Sequence, residues 1–491
     1  MSEGENSYRQ IFKALSFFGG VQVLVIMFGI LRNKVVALCM GPKGIGEIGL
    51  YTTTITLMVA LVSFGIGSSG VKILSESFHK EDKSEFGKNV FVFSKLSFYL
   101  GFLGSVLTLF LSPILSLWTF GSYDYTISFA FLSITVFLII ADTGNLVLLQ
   151  GVMNLKDQGK ASVFGTLFGS IISIPLYIIF KERAIVTSLI ILFLGNVLAS
   201  FYFSKKIYTK SEKVKLSEFK ERSKQIIRLG FAMTVSYILV IAVSYVSRLY
   251  ISQEGGVQEV GMYQAAWAIV NGYVGLIFTA MAKDYFPRLS SVNSDNNKIC
   301  DMANKQIELG LLIISPIILI FLIFIDKIVY VLYSSEFYLI KNMMIWSLLG
   351  MFFKLLSWSI SYIFLAKGLS RQFVIYEVVI NVLTVLFNIL FYKNFKLEGL
   401  GFAFCAINLV YLLIVFYMAR YSFNFFFSKE TKILFSINLS ICLALSLLLR
   451  FADYVQPYLL YSIFIFGVLT IFFISIKGLN DRLNLLKLFK K

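Results

Sequence analysis

The sequence predicts an all-α polytopic membrane protein of about 14 transmembrane helices, built as two similar six-helix bundles and an extra C-terminal helix pair. The first observation is composition: 58% of the 491 residues are hydrophobic and 14% are charged. The second is an internal repeat in which two apolar runs end at Arg32 and Arg248, each followed by a glycine-rich turn. The third is the distribution of basic residues, which fall mainly in alternate loops.

Long apolar runs place the predicted spans. Mean hydropathy is +0.81, and runs of about 20 apolar residues cross a bilayer as helices because helices satisfy their own backbone polar groups. The N-terminus is polar and the first run is too long for a signal peptide, so it is expected to be a retained span. The fourteen predicted spans are residues 12–38, 45–71, 89–112, 125–149, 160–180, 185–204, 225–251, 260–282, 304–325, 342–366, 372–392, 399–419, 432–450 and 458–476.

Basic residues orient these spans. With the N-terminus inside, the cytoplasmic loops hold roughly three times as many Lys and Arg as the other side, so both termini are expected to be cytoplasmic. The longest polar connection, 205–224, is basic and is expected to be a linker with an amphipathic helix on the anionic inner leaflet. The predicted domains are 1–209 and 223–424 as six-helix bundles, the linker 210–222, and 425–491 as an appended helix pair with a basic tail.

The repeat connects the two bundles. E-x-G-x-Y occurs at Glu47–Tyr51 and again at Glu259–Tyr263, a separation of 212 residues. Because six spans preserve direction, we expect the halves to be related by a two-fold axis along the membrane normal, with a cavity between them. Such a repeat is typical of a transporter.

Several function classes are excluded by residue usage. The single histidine, His79, lies in a charged loop, and the four cysteines are scattered, so we expect no metal site, no cofactor and no Ser-His-Asp catalysis. The glycine-rich turns lack the G-K-[ST] ending of a nucleotide-binding loop. The net charge of +17 is explained by the basic loops, so nucleic acid is not an expected partner. We therefore predict that the chain is not an enzyme.

Charged residues inside predicted spans are the candidate functional residues, since such charges are costly and usually face a cavity or one another. Arg32, Lys34, Arg248 and Lys354 are predicted to bind an anionic group, because the Arg fork suits phosphate and Lys supplies a point charge. The alternative for Arg32, Lys34 and Arg248 is snorkelling to the outer interface.

Three acidic residues in spans are candidates for ion coupling: Asp142, Glu308 and Glu377. Each has a structural alternative. Asp142 belongs to a polar stripe on its span that suits a hydrogen-bond network equally well. For Glu377 the structural alternative is an ion pair with Lys354 or Arg371.

Three segments resemble a known family. They are RNKVVALCMGPKGIGEIGLY, LLQGVMNLKDQGKASVFGTLFG and IFLAKGLSRQFVIYEVVINVL, and over about residues 1–420 the chain resembles the Wzx-type O-antigen and polysaccharide flippases. These belong to the multidrug/oligosaccharidyl-lipid/polysaccharide exporter superfamily. The resemblance implies two bundles in a V shape with alternating access. It implies transfer of a polyprenyl-diphosphate-linked oligosaccharide from the cytoplasmic to the periplasmic leaflet of a bacterial inner membrane.

The resemblance also sets the expected partners and the alternatives. Membrane lipids, a polysaccharide polymerase and other assembly proteins are the expected partners. The last two spans depart from the twelve-span pattern and are similar to those of the fourteen-span lipid II flippases of the same superfamily. The alternative functions are an ion-coupled multidrug or cation antiporter of that superfamily, which requires an acidic or aromatic cavity, and a non-transporting membrane scaffold.

Overall fold

The computed structural model describes residues 3–79, 83–208 and 211–450, together with 467, 469–474 and 477. Throughout these ranges every regular element is helical, which confirms the predicted all-α membrane fold. Helices dominate because an apolar chain in lipid has no water with which to satisfy its backbone amides and carbonyls. Predicted span fourteen, 458–476, lies largely outside the described residues.

Thirteen α-helices are described in these ranges. Short irregular turns accompany them: 3₁₀ turns at Lys181–Ala184 and Ser335–Ile340, and a π-helix at Ala268–Val274. The α-helices are α1 Glu3–Ser63, α2 Ile66–His79, α3 Lys83–Phe120, α4 Thr126–Gly151, α5 Leu155–Phe180, α6 Ile185–Tyr208, α7 Leu216–Trp267, α8 Leu276–Ser291, α9 Asn296–Ile323, α10 Ile325–Leu332, α11 Lys341–Ala366, α12 Ser370–Phe423 and α13 Lys429–Arg450.

Eight helical segments of the described chain are long and apolar enough to cross a membrane. Three of them are long enough for two passes: Val23–Ser63, Leu155–Tyr208 and Arg371–Phe423. The backbone of each leaves helical geometry between the two predicted spans, so these breaks support the predicted division into spans. Predicted spans seven and eight, in α7 and α8, are not among the eight, and the total of fourteen stays a prediction.

The helix boundaries repeat at a constant separation of 215 residues. Helix α4 and helix α11 both contain 26 residues, and their first residues, Thr126 and Lys341, lie 215 apart. The same separation relates the start of α5 to the start of α12 and the end of α6 to the end of α12. The chain from α4 to α6 therefore recurs as α11 and α12 without a net insertion.

Unusual backbone conformations follow the same repeat. Gly41 and Gly256, with φ of 62° and 80°, break α1 and α7 at positions 215 apart. Met153 and Gly368, with φ of 56° and 74°, occupy equivalent places before α5 and α12. Lys181 and Lys396, with φ of 49° and 52°, form the third pair. A left-handed φ is unfavourable for Met and Lys, so its presence at repeated positions shows that the architecture imposes these turns.

The structural repeat corrects the alignment based on E-x-G-x-Y. At a separation of 215, Gly46 is equivalent to Gly261, whereas the motif pairs Gly49 with Gly261. A Cβ built on Gly46 would lie 2.0 Å from the Val257 carbonyl oxygen, and one on Gly261 would lie 1.8 Å from that of Pro42. Pro42 and Val257 are themselves 215 apart, so the contact is reciprocal. The E-x-G-x-Y alignment is therefore shifted from the structural repeat by three residues, about one helical turn.

The described chain divides into two compact units. The first unit is Met1–Gly261 with Leu332–Ser334, and the second is Met262–Val331 with Ser335–Lys491. The segment that follows the Gly41 break belongs to the first unit, whereas the one that follows Gly256 passes into the second unit at Met262. The predicted domains 1–209, 210–222, 223–424 and 425–491 stay a prediction.

Candidate functional site

Three of the predicted cationic residues lie in the first unit. Arg32 is half-buried on α1 and interacts electrostatically with the buried Tyr177 hydroxyl on α5. Lys34 is half-buried and its ammonium donates to the Tyr333 carbonyl oxygen at 2.5 Å. Arg248 is only 5% exposed. Burial of Arg248 disfavours snorkelling to water as the explanation for this residue.

The buried Arg248 guanidinium is oriented by its own helix. It donates to the Ser244 carbonyl oxygen at 3.1 Å and also to the Ser244 hydroxyl. At the structural separation of 215, its equivalent in the first repeat is Asn33, and Arg32 is equivalent to Ser247. Since one residue rotates a side chain by about 100° around a helix, Arg32 and Arg248 do not occupy the matching places that the sequence suggested.

Lys354 has an environment unlike that of the other cations. It lies half-buried on α11, and its ammonium donates to Asn271 Oδ1 at 2.8 Å. The same nitrogen lies 5.5 Å from the Phe278 ring centre and 5.7 Å from that of Phe404. Asn271 belongs to the π-helix Ala268–Val274, a type of irregularity that occurs frequently at functional sites.

All the contacts described around the Lys354 ammonium are electrically neutral. No carboxylate of the described chain lies within 4.0 Å of it. The buried Nδ2 of Asn271 has no hydrogen-bond partner in the described chain. An ammonium and an amide N–H group are therefore both available as donors at one position, which suits an anionic oxygen.

Asp142 lies beside a hydrogen-bond network between α4 and α6. It interacts electrostatically with Ser200, whose hydroxyl donates to the Val197 carbonyl oxygen at 3.2 Å and accepts from Asn145 Nδ2 at 3.1 Å. The Tyr208 hydroxyl donates to Asn145 Oδ1 at 2.6 Å. These contacts match the structural alternative for Asp142, a polar network along the span.

Glu377 lies half-buried on α12 and accepts from the Tyr411 hydroxyl at 2.9 Å. The expected ion pair is wrong, since neither Lys354 nor Arg371 lies within 4.0 Å of Glu377 among the described residues. The Tyr411 hydroxyl is a neutral donor that stabilises the carboxylate without a second charge.

Glu308 holds the N-terminus of α13. Its Oε1 accepts from the Ser428 hydroxyl at 2.8 Å and from the Thr431 hydroxyl at 3.1 Å. Ser428 in turn caps α13 by accepting from the Thr431 backbone N–H at 2.9 Å. One turn earlier on α9, Asn304 accepts from the Ser428 backbone N–H at 2.9 Å. A carboxylate near a helix N-terminus is favoured by the helix dipole, so Glu308 attaches the appended helix to α9.

An uncharged groove in the first unit was not predicted. It consists of three cavities of about 460, 420 and 200 Å³ that share lining residues. Thr56 lines the largest and the smallest cavity, and Thr143 lines the two larger ones. Residues of α1, α2, α4 and α7 form the walls, and the α5 residue Gln158 closes one end.

The lining of this groove is uncharged. Every described residue that lines the three cavities is neutral, and hydroxyl and amide side chains recur along its length. The signal that could have identified the groove is the run YTTTIT at residues 51–56, since four threonines in six residues are unusual in an apolar span. A search limited to charged residues does not find this groove.

Comparison with known protein families shows the family to which the chain belongs. A family model described as "Polysaccharide biosynthesis protein" matches residues 35–342. The chain belongs to this family. A relative from Shigella flexneri, named "Putative O-antigen transporter", is 26% identical over 335 residues, which cover 65% of this chain and 76% of the relative. These matches confirm the resemblance to O-antigen and polysaccharide flippases.

Two solved transporter structures have a fold similar to that of this chain. The inward closed lipid II flippase MurJ is 14% identical, with a TM-score of 0.68, covering 95% of this chain and 99% of the flippase. An inward-facing MATE multidrug resistance transporter of the MOP superfamily is 17% identical, with a TM-score of 0.69, covering 82% of this chain and 94% of the transporter. The chain therefore has the fold of these membrane transporters.

Proposed function

We propose that this chain moves a polyprenyl-diphosphate-linked oligosaccharide from the cytoplasmic to the periplasmic leaflet of a bacterial inner membrane by alternating access. The family membership and the name of the Shigella flexneri relative support a saccharide substrate. The excess of basic residues in alternate loops supports cytoplasmic termini. A polysaccharide polymerase and other assembly proteins are the proposed partners.

Lys354 is the observation on which the proposal rests. A structural lysine in an apolar span is expected to have a carboxylate partner, whereas Lys354 contacts an amide oxygen and two aromatic rings. Its full positive charge therefore remains to be balanced. A diphosphate oxygen that replaces the Asn271 contact would balance it, and a charge-assisted hydrogen bond contributes about 1.5–3 kcal/mol.

Arg32, Lys34 and Arg248 are proposed as further diphosphate ligands. Arg248 is the strongest of the three because its guanidinium is buried and already oriented by Ser244. A buried guanidinium binds phosphate through two parallel hydrogen bonds, which a water-exposed one does less strongly. The prenyl tail would stay in lipid while the head group crosses.

The source of energy is proposed to be an ion gradient, the membrane potential or the substrate concentration. Among the three acidic candidates, the contacts favour Glu377 and Asp142 over Glu308 for ion coupling. Glu377 has one tyrosine hydroxyl as its described side-chain partner, and Asp142 interacts with one serine. Glu308, in contrast, accepts from the Ser428 and Thr431 hydroxyls. A proton acceptor has to exchange its partners during transport, so fewer contacts favour that role.

The test is complementation of a strain that lacks this chain. Lys354→Ala should reduce surface polysaccharide about tenfold or more, because loss of a charge-assisted hydrogen bond of about 1.5–3 kcal/mol weakens binding by that factor. Lys354→Arg should retain part of the activity. Wild-type polysaccharide levels with Lys354→Ala, at equal protein abundance, would contradict the proposed role.

Lys367 provides a matched control. It also donates to an asparagine oxygen, Asn296 Oδ1 at 2.5 Å, and lies 5.5 Å from the ring of Phe423. It stands just after α11, outside that helix. Lys367→Ala removes the same types of contact and should leave surface polysaccharide unchanged, so a loss specific to Lys354 depends on its place in the transporter.

A further inference from the structure

We propose that the uncharged groove of the first unit binds hydroxyl groups of the glycan in preference to its diphosphate, an inference that rests on the proposed function. The groove runs from Thr52 on α1 past Thr143 on α4 to Gln158 on α5. Its two larger cavities, about 460 and 420 Å³, each lie within the range of small-ligand sites.

The hydroxyl protons of the groove threonines are already engaged. Each threonine donates to the carbonyl oxygen four residues earlier in its own helix. These bonds are Thr52 to Ile48 at 2.7 Å, Thr53 to Gly49 at 2.7 Å, Thr56 to Thr52 at 2.7 Å, Thr143 to Ile139 at 2.8 Å and Thr234 to Gly230 at 2.6 Å. Each of these hydroxyls therefore has no free proton and can only accept a further hydrogen bond.

The threonines favour a ligand that donates hydrogen bonds. Each hydroxyl has one donor and two acceptor sites, so a threonine whose proton is engaged can only accept. A sugar hydroxyl can donate to such an oxygen, and it can also pair with the Gln150 and Gln158 amides, which both donate and accept. A diphosphate at neutral pH offers acceptors and negative charge, so the threonine oxygens form no compensating bond with it.

The geometry at Gly65 fixes one wall of the groove. Gly65 has φ of +70°, and a Cβ built on it would lie 1.8 Å from Thr234 Oγ1 and 2.3 Å from the Gly230 carbonyl oxygen. The backbone of helix α7 therefore packs directly against the backbone at the break between α1 and α2. Thr234 is 8% exposed and Tyr237, one turn later, is 57% exposed, which places an accessible phenol ring beside the acceptors.

A metal cation is the competing ligand for acceptor oxygens. No group of three or more His, Cys, Asp or Glu able to hold a metal occurs in the described chain, and the groove lining contains no carboxylate to balance a cation. Hard cations are bound mainly by carboxylate and carbonyl oxygens. The neutral lining therefore favours the uncharged sugar.

The experiment compares two probes on purified full-length chain in lipid nanodiscs. One probe is the oligosaccharide released by mild acid hydrolysis of the glycosyl–diphosphate bond in the host cell's lipid-linked saccharide, and the other is inorganic pyrophosphate. Thr56→Val with Thr143→Val should weaken oligosaccharide binding about tenfold, since two hydrogen bonds are removed. Pyrophosphate binding should be unchanged. Thr56→Ser with Thr143→Ser should retain the oligosaccharide affinity.

Thr384→Val is the matched control, because Thr384 on α12 is half-buried, donates to the Ile380 carbonyl oxygen at 2.7 Å and lies outside the groove. Unchanged oligosaccharide affinity in the double variant, or a change in pyrophosphate binding or Na⁺ binding instead, would overturn the inference. If groove variants weaken oligosaccharide binding while the wild-type chain transports no lipid-linked oligosaccharide, the proposed function fails and the groove assignment stands.

Discussion

The reciprocal contact between the two repeats gives a prediction whose size follows from the backbone. Gly261→Ala places a methyl group 1.8 Å from the Pro42 carbonyl oxygen and 2.8 Å from the Gly46 amide nitrogen. Gly46→Ala places one 2.0 Å from the Val257 carbonyl oxygen. Real Cβ atoms essentially never approach other atoms more closely than 3.0 Å. All three atoms are backbone, so no side-chain rotation can relieve the contact.

The two helical segments must separate by about 1 Å or more to accept either methyl group, and overpacking of this kind costs about 1–3 kcal/mol, occasionally more. Because the contact is reciprocal, we expect similar losses from the two single variants. The double variant should lose less than their sum, because the first separation makes room for the second methyl, and contacting residues couple by about 0.5–3 kcal/mol.

The assay is thermal unfolding of purified variants in one detergent, followed by size-exclusion chromatography. Each single variant should lower the apparent Tm by several degrees. Gly29→Ala is the control, since Gly29 lies on the same helix α1 and a Cβ built on it would have no atom within 4 Å. This control should gain about 0.4–1 kcal/mol. Wild-type Tm in Gly46→Ala and Gly261→Ala, or strictly additive losses, would refute the reciprocal packing.

Two further predictions concern polar attachments outside the groove. Glu308→Ala should raise amide exchange at the N-terminus of α13, because the Ser428 and Thr431 hydroxyls lose an acceptor at a cost of about 1–3 kcal/mol, while Glu308→Gln should preserve protection. Protection unchanged in the alanine variant would contradict the attachment. Arg222→Ala should raise exchange at the start of α7, because Arg222 makes paired hydrogen bonds to Glu85 at 2.6 and 2.9 Å. Partial exposure limits that loss to about 1 kcal/mol, and a wild-type exchange pattern would show that the pair does not hold α7.

The sequence predicted the helical breaks because their cause is local. Glycine-rich segments at Gly41 and Gly256 separate apolar runs, and glycine accepts the left-handed backbone that such a turn requires. The predicted spans also left turns at Met153 and Lys181, but the sequence did not predict their positive φ, since neither residue favours it. The same conformation recurs 215 residues later, at Gly368 and Lys396.

The charges in the spans were easy to find and hard to interpret. A sequence shows that Glu308 is costly in lipid, but its attachment to Ser428 and Thr431 depends on a contact between α9 and the start of α13 that no local pattern encodes. Lys354 differs, because its depth within an apolar run already indicated a special role. Its neutral partners Asn271 and Phe278 come from another part of the chain and required the fold.

Transport of a lipid-linked saccharide is the central claim, and reconstitution tests it most directly. The purified chain would be inserted into vesicles that contain a polyprenyl-diphosphate oligosaccharide, and the glycan exposed on the outer leaflet would be followed with a membrane-impermeant lectin. We expect wild-type chain to bring internal glycan to the lectin, and Lys354→Ala to slow this about tenfold or more. No difference between vesicles with and without the chain, or an unchanged rate in Lys354→Ala, would contradict the account.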